Sequence, residues 1–424
     1  MKIAIKTLGC RSNRYESDKL FDVLKTDHFV CELNEGVSTF QRKFGENDFD
    51  FLIVNTCTVT HVADRKSRQA IRSFKAKNPG TRVLVFGCGA NVSKEDYENM
   101  DEVDAVIPES ESIIDLINSD VSCGSFMAED FDAGVRTRAL IKIQDGCNNF
   151  CTYCIIPHAR GREVSFPSKE IIALAKENEA QGFKELVLTG INIGEWQEDG
   201  KDIADLIELL INNTSKVRFR ISSIEPKNFS DKLFDLFDTG RLCPHMHISL
   251  QSGSDSVLRR MKRNYKSEEF ESICNRFRDA VPDIGLTTDV IVGFPGETDN
   301  EFAETVDFVK NIGFLKVHVF PYSKRKNTAA CYMPGHLQEN IKKTRARRLR
   351  KVCREASLKF KKSLIGNKYE VLVESQENGV FRGYTSNYLM VEFKSKEKDL
   401  LNCFKEVKLG SLNDDTGEFA GLEP

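Results

Sequence analysis

Three closely spaced cysteines, Cys147, Cys151 and Cys154, form the pattern C-x-x-x-C-x-x-C directly after a predicted strand. A structural zinc site usually takes four ligands, often from two C-x-x-C pairs, and the local count here stops at three. Three thiolates suit an iron–sulfur cluster with one iron left open, and an open position on a metal is where a small molecule can bind. The alternatives are a zinc ion with a distant fourth ligand such as His158, and plain buried cysteines.

A second set of cysteines follows three short apolar runs near the N-terminus. Residues 3–8, 51–54 and 83–86 are predicted as buried strands, and a helix-like segment follows each of them. This alternation predicts a doubly wound parallel sheet, in which ligands bind outside the carboxyl ends of the strands. Each run is followed by one cysteine, so we expect three thiols to converge on one metal site: Cys10, Cys57 and Cys88.

The composition favours metal binding over disulfide formation. No apolar run approaches the roughly 18 residues of a membrane-spanning helix, and the N-terminal M-K-I-A-I-K is too charged for a signal peptide. We therefore expect a cytoplasmic protein without a membrane partner. Disulfides are disfavoured in that compartment, so clustered cysteines there more often bind metal. The chain has thirteen cysteines, and the seven outside the two triples (13 − 6) are expected in the core or at the surface.

The middle of the chain alternates strand-like and helix-like segments. The clearest helix begins at Thr298, where Glu301 completes a capping box and Phe302 starts an apolar face. Six strand–helix units predict a βα barrel, complete or open, with its chemistry on the loops after the strands. The candidate strands are residues 139–143, 185–189, 217–222, 246–250, 286–292 and 315–320.

The last sixty or so residues have a different pattern. Short alternating runs at 369–373 and 388–393, separated by turn residues, predict a small β-barrel that starts near Gly366. The fold class is therefore α/β, and the predicted domains cover residues 1–122, 133–363 and 364–424. Residues 127–135 read as a linker between the first two.

A strongly basic segment precedes this last block. Residues 341–362 contain eleven Lys and Arg and one acid, Glu355, which gives +10 in a chain of net charge −3. The rest of the chain therefore sums to about −13, and a local basic belt on an acidic protein indicates contact with a polyanion. The alternative is a helix with a solvated face.

Taken together, these motifs resemble a known family. The pattern C-x-x-x-C-x-x-C, with Tyr153 before the last cysteine, resembles the radical S-adenosylmethionine superfamily. The three earlier cysteines resemble the N-terminal domain of the methylthiotransferases, and the last block resembles the TRAM RNA-binding domain. The resemblance covers nearly the whole chain, and it implies a partial (βα)6 barrel of the TIM type for residues 133–363.

The resemblance implies two 4Fe–4S clusters and S-adenosylmethionine as cofactors. Cys147, Cys151 and Cys154 would hold the cluster that binds S-adenosylmethionine, and the N-terminal triple would hold an auxiliary cluster that carries the sulfur. Six further residues, on or near the loops that follow strands, are expected near the cofactor or substrate: Tyr153, Gly190, Ser223, Glu225, Gln251 and Gly293. Gly293 and Gly296 in G-F-P-G-E are equally compatible with simple turns.

The implied reaction is methylthiolation of carbon 2 of an adenine. That C–H bond is neither acidic nor electrophilic, so no side-chain acid or base is expected to act on it, and a cofactor must supply radical chemistry. The family is expected to use S-adenosylmethionine both as methyl donor and as radical source. A reductant protein and a sulfur source are further expected partners.

Flanking residues indicate a subgroup. T-L-G-C-R-S-N-R-Y-E-S and I-Q-D-G-C-N-N-F-C-T-Y-C resemble the enzymes that act on threonylcarbamoyladenosine beside the anticodon of tRNA, although the subgroup has Lys-Val-Asn where this chain has Arg-Ser-Asn. Bases in such loops can be splayed out for recognition. The expected substrate contacts are Arg11, Asn13, Arg345, Arg347, Arg348 and Arg350.

Three other functions are compatible with the sequence. The same chemistry could act on isopentenyladenosine in tRNA or on an aspartate of a ribosomal protein. A non-enzymatic iron–sulfur RNA-binding sensor is an alternative of another class. Such a sensor needs only one cluster and no cofactor loops, so the two cysteine triples and the barrel loops argue against it.

Overall fold

The computed structural model describes residues 1–33, 49–119, 137–227 and 229–422. It divides into two compact units. The first contains Met1–Gly134 together with two later segments, Gly146–Arg162 and Ser323–Cys331, and the second contains the remainder. The predicted linker at 127–135 and the boundaries at 122 and 133 lie outside the described residues, so the domain limits stay predictions.

The first unit is built on a five-stranded sheet with the order β2-β1-β3-β4-β5, and the strand pairs are parallel. Its strands are Lys2–Thr7, Phe29–Glu32, Phe51–Thr56, Arg82–Gly87 and Ala105–Val106 (β1–β5). Its helices are Arg11–Leu24, His61–Lys77, Cys88–Val92, Lys94–Glu98, Ser110–Ser119 and Ile156–Arg160 (α1–α6).

Alternating side chains of the strands are covered by different helices. Ile3 packs with Leu20 of α1, whereas the neighbouring Ala4 packs in a separate core with Ile71 of α2. Both faces of the sheet are therefore buried, as is usual for parallel sheets. The predicted doubly wound arrangement is confirmed.

The second unit contains seven parallel strands in two sheets, one of three strands (β10-β9-β6) and one of four (β11-β12-β13-β14). Its strands are Arg138–Lys142, Gln144–Asp145, Val164–Ser165, Glu185–Thr189, Arg218–Ile221, Ser223–Ile224, His245–Ile248, Gly285–Val292 and Lys316–Pro321 (β6–β14). Its helices are Ser168–Ala180, Ile203–Asn213, Asp231–Asp235, Asp255–Arg260, Ser267–Ala280, Asp299–Ile312 and Glu339–Ser363 (α7–α13). The six predicted strands all occur, and their ends are displaced by no more than about two residues, as is common for element ends. None of the helices in the described parts of the chain combines the length and apolar character needed to cross a bilayer.

The helix predicted to begin at Thr298 has a clear local cause. The helix α12 begins after Thr298, whose hydroxyl accepts from the backbone N–H of Glu301, and the Glu301 carboxylate accepts from the N–H of Thr298 in return. This capping box is the one predicted from the sequence. The basic segment forms α13, a single 25-residue helix.

The last block forms a closed barrel with the order β15-β16-β17-β19-β18. Its strands are Lys368–Glu377, Val380–Thr385, Met390–Lys394, Phe404–Leu412 and Phe419–Leu422 (β15–β19). Val371, Phe381 and Phe393 are among the buried residues at its centre. A small β-barrel in this position is as predicted, and it is consistent with a TRAM-like domain.

A buried ionic cluster connects this small barrel to the βα barrel. Glu185 of β9 has no exposed surface, and its carboxylate accepts from Arg218 at 2.8 Å and from Arg220 at 2.6 and 2.9 Å. Arg220 also donates to the carbonyl of Ser386, and Arg138 pairs with Glu374 at 2.5 Å. Burial opposes the charge on Glu185, but the arginines outweigh it and hold its pKa far below the usual range.

We expect Glu185→Gln to lower the free energy of unfolding by about 3–5 kcal/mol, because it leaves buried guanidinium groups without their carboxylate. A depressed pKa gives stabilisation that is present above the unfolded value of about 4.3 and is lost as the pH falls. The difference between wild type and variant should therefore shrink below about pH 4 in urea unfolding experiments. Glu304→Gln, at an exposed position on α12, is the matched control. Equal stability of the two variants would contradict the role of Glu185.

Candidate functional site

The N-terminal thiols converge at the carboxyl edge of the first sheet. Cys10 caps α1, Cys57 follows β3, and Cys88 is the first residue of α3. A Cβ atom placed on Gly9 would lie 3.1 Å from the Cβ of Cys57. The sulfurs of Cys10 and Cys88 lie 3.6 and 3.8 Å from one oxygen, Oδ1 of Asn13.

Asn13 occupies the centre of this thiol site. Its Nδ2 donates to Oδ1 of Asn55 at 2.8 Å and to the carbonyl of Thr56 at 3.0 Å, and only 1 % of the residue is exposed. Both ends of the amide are therefore occupied by protein groups. This placement favours a structural role for Asn13 over the substrate contact predicted from the sequence.

Burial dominates the chemistry of two of these thiols. It raises the pKa of Cys88 to about 12, although the Arg160 guanidinium opposes the shift. Burial also raises the pKa of Cys57, and the neighbouring Cys10 adds to the shift. A raised pKa favours the protonated thiol, so a metal that binds these cysteines must displace protons.

Arg160, at the end of α6, connects the helix that follows the second cysteine triple to the N-terminal thiol site. Its Nε donates to Sγ of Cys88 at 3.0 Å, its Nη2 donates to Oδ1 of Asn13 at 2.8 Å, and its Nη1 pairs with Glu16 at 2.6 Å. Only 6 % of the side chain is exposed. The sequence did not predict a role for this arginine, because Cys88 and Asn13 are 72 and 147 residues away from it along the chain.

The loop that carries Cys147, Cys151 and Cys154 belongs to the same compact unit as the first triple. The backbone N–H of Asn149 donates to Sγ of Cys147 at 3.3 Å, a contact that favours the thiolate. The N–H of Cys154 donates to the carbonyl of Cys151 at 3.0 Å, which folds the chain back on itself. Cys147 and Cys151 are buried, and Cys154 is half-buried.

Both triples fit an iron–sulfur cluster better than a single ion. Each supplies three thiols, the donor type that clusters use. In the described ranges, the one group of His, Cys, Asp or Glu side chains whose ligand atoms all lie within 4.8 Å of each other is His247, Asp289 and His318. The thiols are therefore not gathered around one ion, whereas a cluster binds each thiolate at a different iron. His158, the alternative zinc ligand, is exposed on α6.

The predicted glycine after β9 is tightly packed. A Cβ on Gly190 would lie 2.7 Å from the carbonyl of Gln144. The side-chain oxygen of Gln144 accepts from the N–H groups of Ile191 and Asn192, each at 3.0 Å. Gly190 thus permits a close approach of two loops, and no larger residue fits there.

The other predicted cofactor residues lie on or near loops, with varied surroundings. Glu225 pairs with Arg263 at 2.9 Å, and Ser223 and Tyr153 are half-buried. Gln251 has a positive φ of 68°, and its backbone bonds to β13 on both sides. A non-glycine residue in this region is strained, which is a feature typical of functional sites.

Gly293 lies in a turn against the basic helix. It has φ of 72°, its N–H donates to Glu297 at 2.7 Å, and a Cβ there would meet the side chain of Lys342 at 2.3 Å. These contacts account for glycine at this position by packing alone. Gly296 also has a positive φ, of 73°.

The four arginines predicted to contact RNA separate into two groups. Arg345 is buried and pairs with Glu297 at 2.5 Å and Asp299 at 2.7 Å. Arg347 and Arg348 are exposed, and so is Arg350, which also donates to the carbonyl of Val319. Arg345 is therefore engaged in packing the helix, and three of the four remain at the surface.

We expect Arg160→Met to lower the free energy of unfolding of the apo protein by about 3–5 kcal/mol, because Glu16 and Asn13 lose their partner. The effect should be coupled to Glu16: the double variant with Glu16→Gln should show an interaction energy of about 0.5–3 kcal/mol in a double-mutant cycle. Arg162→Met, at an exposed position two residues away, is the control. Additive effects of the two substitutions would refute the proposed contact.

Comparison with known proteins identifies two family regions. Residues 141–309 match the radical SAM superfamily, and residues 2–108 match the uncharacterized protein family UPF0004. One cysteine triple lies in each region. Among solved structures, the radical S-adenosylmethionine methyltransferase TsrM from Kitasatospora setae has a TM-score of 0.53 at 14 % identity, and the match covers 78 % of this chain and 76 % of that one. At that identity the likeness shows the fold alone.

Curated relatives match over nearly the full length. The threonylcarbamoyladenosine tRNA methylthiotransferase MtaB of Bacillus subtilis (strain 168) is 37 % identical over 96 % of this chain and 93 % of its own, and MtaB of Thermotoga maritima is 35 % identical over 97 % and 95 %. The tRNA-2-methylthio-N(6)-dimethylallyladenosine synthase of Thermodesulfovibrio yellowstonii is 32 % identical over 97 % and 94 %. The chain therefore belongs to the radical S-adenosylmethionine tRNA methylthiotransferases, a family of transferases that use a 4Fe–4S cluster and S-adenosylmethionine.

Proposed function

We propose that this enzyme methylthiolates carbon 2 of threonylcarbamoyladenosine beside the anticodon of tRNA. The observation that carries the chemistry is the presence of both cysteine triples in one compact unit, joined by Arg160. Support for the substrate comes from the relatives named for threonylcarbamoyladenosine, which reach 37 % identity. With tRNA as its substrate, the enzyme would act in the cytoplasm, together with a reductant protein and a sulfur source.

The two triples would divide the cofactors between them. Cys147, Cys151 and Cys154 would hold the 4Fe–4S cluster that binds S-adenosylmethionine, and the N-terminal triple would hold a second cluster. When bound, these groups supply radical formation and the sulfur that is transferred. The remaining tasks fall to the protein, which must bind the substrate, hold the donors in place and exclude water.

The side chains around the thiols perform the positioning. Oδ1 of Asn13 contacts Cys10 and Cys88, and it accepts a hydrogen bond from Arg160, which lies on the helix that follows the second triple. Arg160 is itself held by an ion pair with Glu16, which would help to keep the helix after the second triple packed against the N-terminal thiols. The burial of Cys57, Cys88, Cys147 and Cys151 keeps water away from the sulfurs.

The surface of α13 supplies the RNA contact in this proposal. Arg347, Arg348 and Lys351 are exposed on this helix, and Lys and Arg side chains bind phosphates with release of counterions. The closed barrel 368–422, which follows directly, would hold the tRNA backbone as well. Arg345 is left out of this surface because it is buried against Glu297.

Arg11 is the residue that we assign to the modified base. It is the first residue of α1, next to Cys10, and it is partly exposed. The threonylcarbamoyl group carries a carboxylate, which a guanidinium binds through two parallel hydrogen bonds. An isopentenyl group offers only apolar surface, and burying an arginine against it would cost free energy.

Iron content tests the two-cluster proposal. We expect about eight irons per anaerobically reconstituted chain, which corresponds to two 4Fe–4S units. Changing Cys147, Cys151 and Cys154 to Ala should leave about four irons and abolish cleavage of S-adenosylmethionine. Changing Cys10, Cys57 and Cys88 to Ala should also leave about four, with cleavage to 5′-deoxyadenosine retained. Changing Cys274 to Ala, a buried cysteine outside both triples, is the control and should leave the iron content unchanged. If the variant that lacks Cys10, Cys57 and Cys88 keeps its full iron content, the proposed N-terminal cluster is wrong.

The substrate is tested with two tRNAs that differ only in the adenosine modification. The reconstituted enzyme should convert the threonylcarbamoyl tRNA to its 2-methylthio form and leave the isopentenyl tRNA unmodified, as measured by mass spectrometry of nucleosides. Arg11→Lys should raise KM for the tRNA about tenfold, because an ammonium cannot form the bidentate pair. Arg162→Lys, at an exposed site, is the control. If the enzyme methylthiolates only the isopentenyl tRNA, the threonylcarbamoyladenosine substrate is wrong and the enzyme acts on the same base as the dimethylallyladenosine synthases.

A further inference from the structure

Three neighbouring barrel strands place a histidine, an aspartate and a second histidine in one cluster. His247 lies on β12, Asp289 on β13 and His318 on β14. In the strand register, His247 is opposite Thr287 and His318 is opposite Asp289. One ligand atom of each residue lies within 4.8 Å of the other two. Neither the cysteine chemistry nor the RNA surface uses this cluster.

The strand pattern explains why these side chains share a face. Along β13, Leu286, Val290 and Val292 are buried in the core that also contains Phe302 and Val306 of α12. Side chains alternate across a strand, so Asp289 extends to the opposite face, away from the helices. His247 and His318 alternate in the same way with buried neighbours, Met246 and Val319. The cluster therefore lies on the side of the barrel strands that the helices do not cover.

The distances fit a metal ion. Nε2 of His247 lies 3.3 Å from Oδ2 of Asp289, and tetrahedral bonds of about 2.0–2.1 Å place two ligand atoms about 3.3 Å apart. The two imidazole rings are centred 6.0 Å apart, at an interplanar angle of 53°. This separation leaves space for an ion between them.

The second nitrogen of His247 already has the partner that metal-bound imidazoles commonly have. Nδ1 lies 3.0 Å from Oγ1 of Thr287, which fixes the orientation of the ring. Thr287 is itself held by His245, whose Nε2 lies 3.3 Å from the same oxygen. Outer partners of this kind orient a ligand and strengthen metal binding. Nε2 is consequently the nitrogen that points to Asp289.

The geometry points to a divalent metal site formed by His247, Asp289 and His318, separate from both cysteine triples. Two imidazoles, one carboxylate and an open position are the donor set of catalytic zinc sites, and imidazole suits zinc, iron and nickel. Zinc has no redox chemistry, so it is compatible with radical chemistry in the same chain. The site does not rest on the proposed substrate, and it can be occupied whichever adenosine is modified.

Zinc loading of the holoenzyme tests this site. The protein with both clusters reconstituted is dialysed against zinc, and zinc and iron are counted together. We expect about one zinc per chain with the iron content unchanged. The extended X-ray absorption fine structure at the zinc edge should show nitrogen and oxygen neighbours with imidazole scattering and no sulfur. A sulfur shell, or no bound zinc, would overturn the site.

Variants localise the ion without relying on activity. Asp289→Asn and His318→Ala should each lose the bound zinc, and Thr287→Val, which keeps all three ligands, should weaken zinc affinity about tenfold or more. His336→Ala, which changes a histidine outside the cluster, should retain zinc. Iron content reports whether each variant is folded. Zinc retained by both ligand variants with normal iron would refute the assignment.

Discussion

The geometry of the first unit depends on the guanidinium of Arg160. This one group reaches a thiol of the N-terminal triple, the amide that contacts two of those thiols, and the carboxylate of Glu16. It lies six residues after Cys154, at the end of the helix that follows the cysteine loop. A buried cation that loses its partners costs free energy, so these bonds favour the observed packing of this helix against the N-terminal thiol site.

Such a constraint suits the proposed function, in which two cofactors would act on one base. The fold supplies each triple in a different way: parallel strands end at one edge and deliver three distant cysteines, whereas a single loop delivers three near ones. A hydrogen bond from Arg160 to Asn13 then connects the helix after the cysteine loop with the N-terminal thiol site. In the second unit, Glu185 has a comparable role, because three arginines around it connect the small barrel to the βα barrel.

Much of this architecture follows from periodicity in the sequence. The barrel strands were predictable because buried parallel strands are continuous apolar runs, and the shared edge of Cys10, Cys57 and Cys88 follows from strand direction. Arg160 had no such signal, since a contact with Cys88 depends on tertiary packing. Asn13 was predicted as a substrate contact, and no feature of the sequence indicated that it is buried within the thiol site. The burial of Arg345 did have a signal: Lys342, Arg345, Leu349 and Cys353 recur at intervals of three or four residues and form the buried stripe of α13. A charge count alone does not distinguish that stripe from the exposed face.

Electron paramagnetic resonance of the fully reduced, reconstituted enzyme tests most directly whether both triples hold clusters in one rigid unit. Two reduced 4Fe–4S clusters in one compact unit interact magnetically. The spectrum of the wild type should therefore show spin–spin broadening that is absent from the sum of the spectra of two variants, each lacking one triple. A wild-type spectrum equal to that sum would contradict the account, because it would mean that the two clusters are too far apart to act on one base.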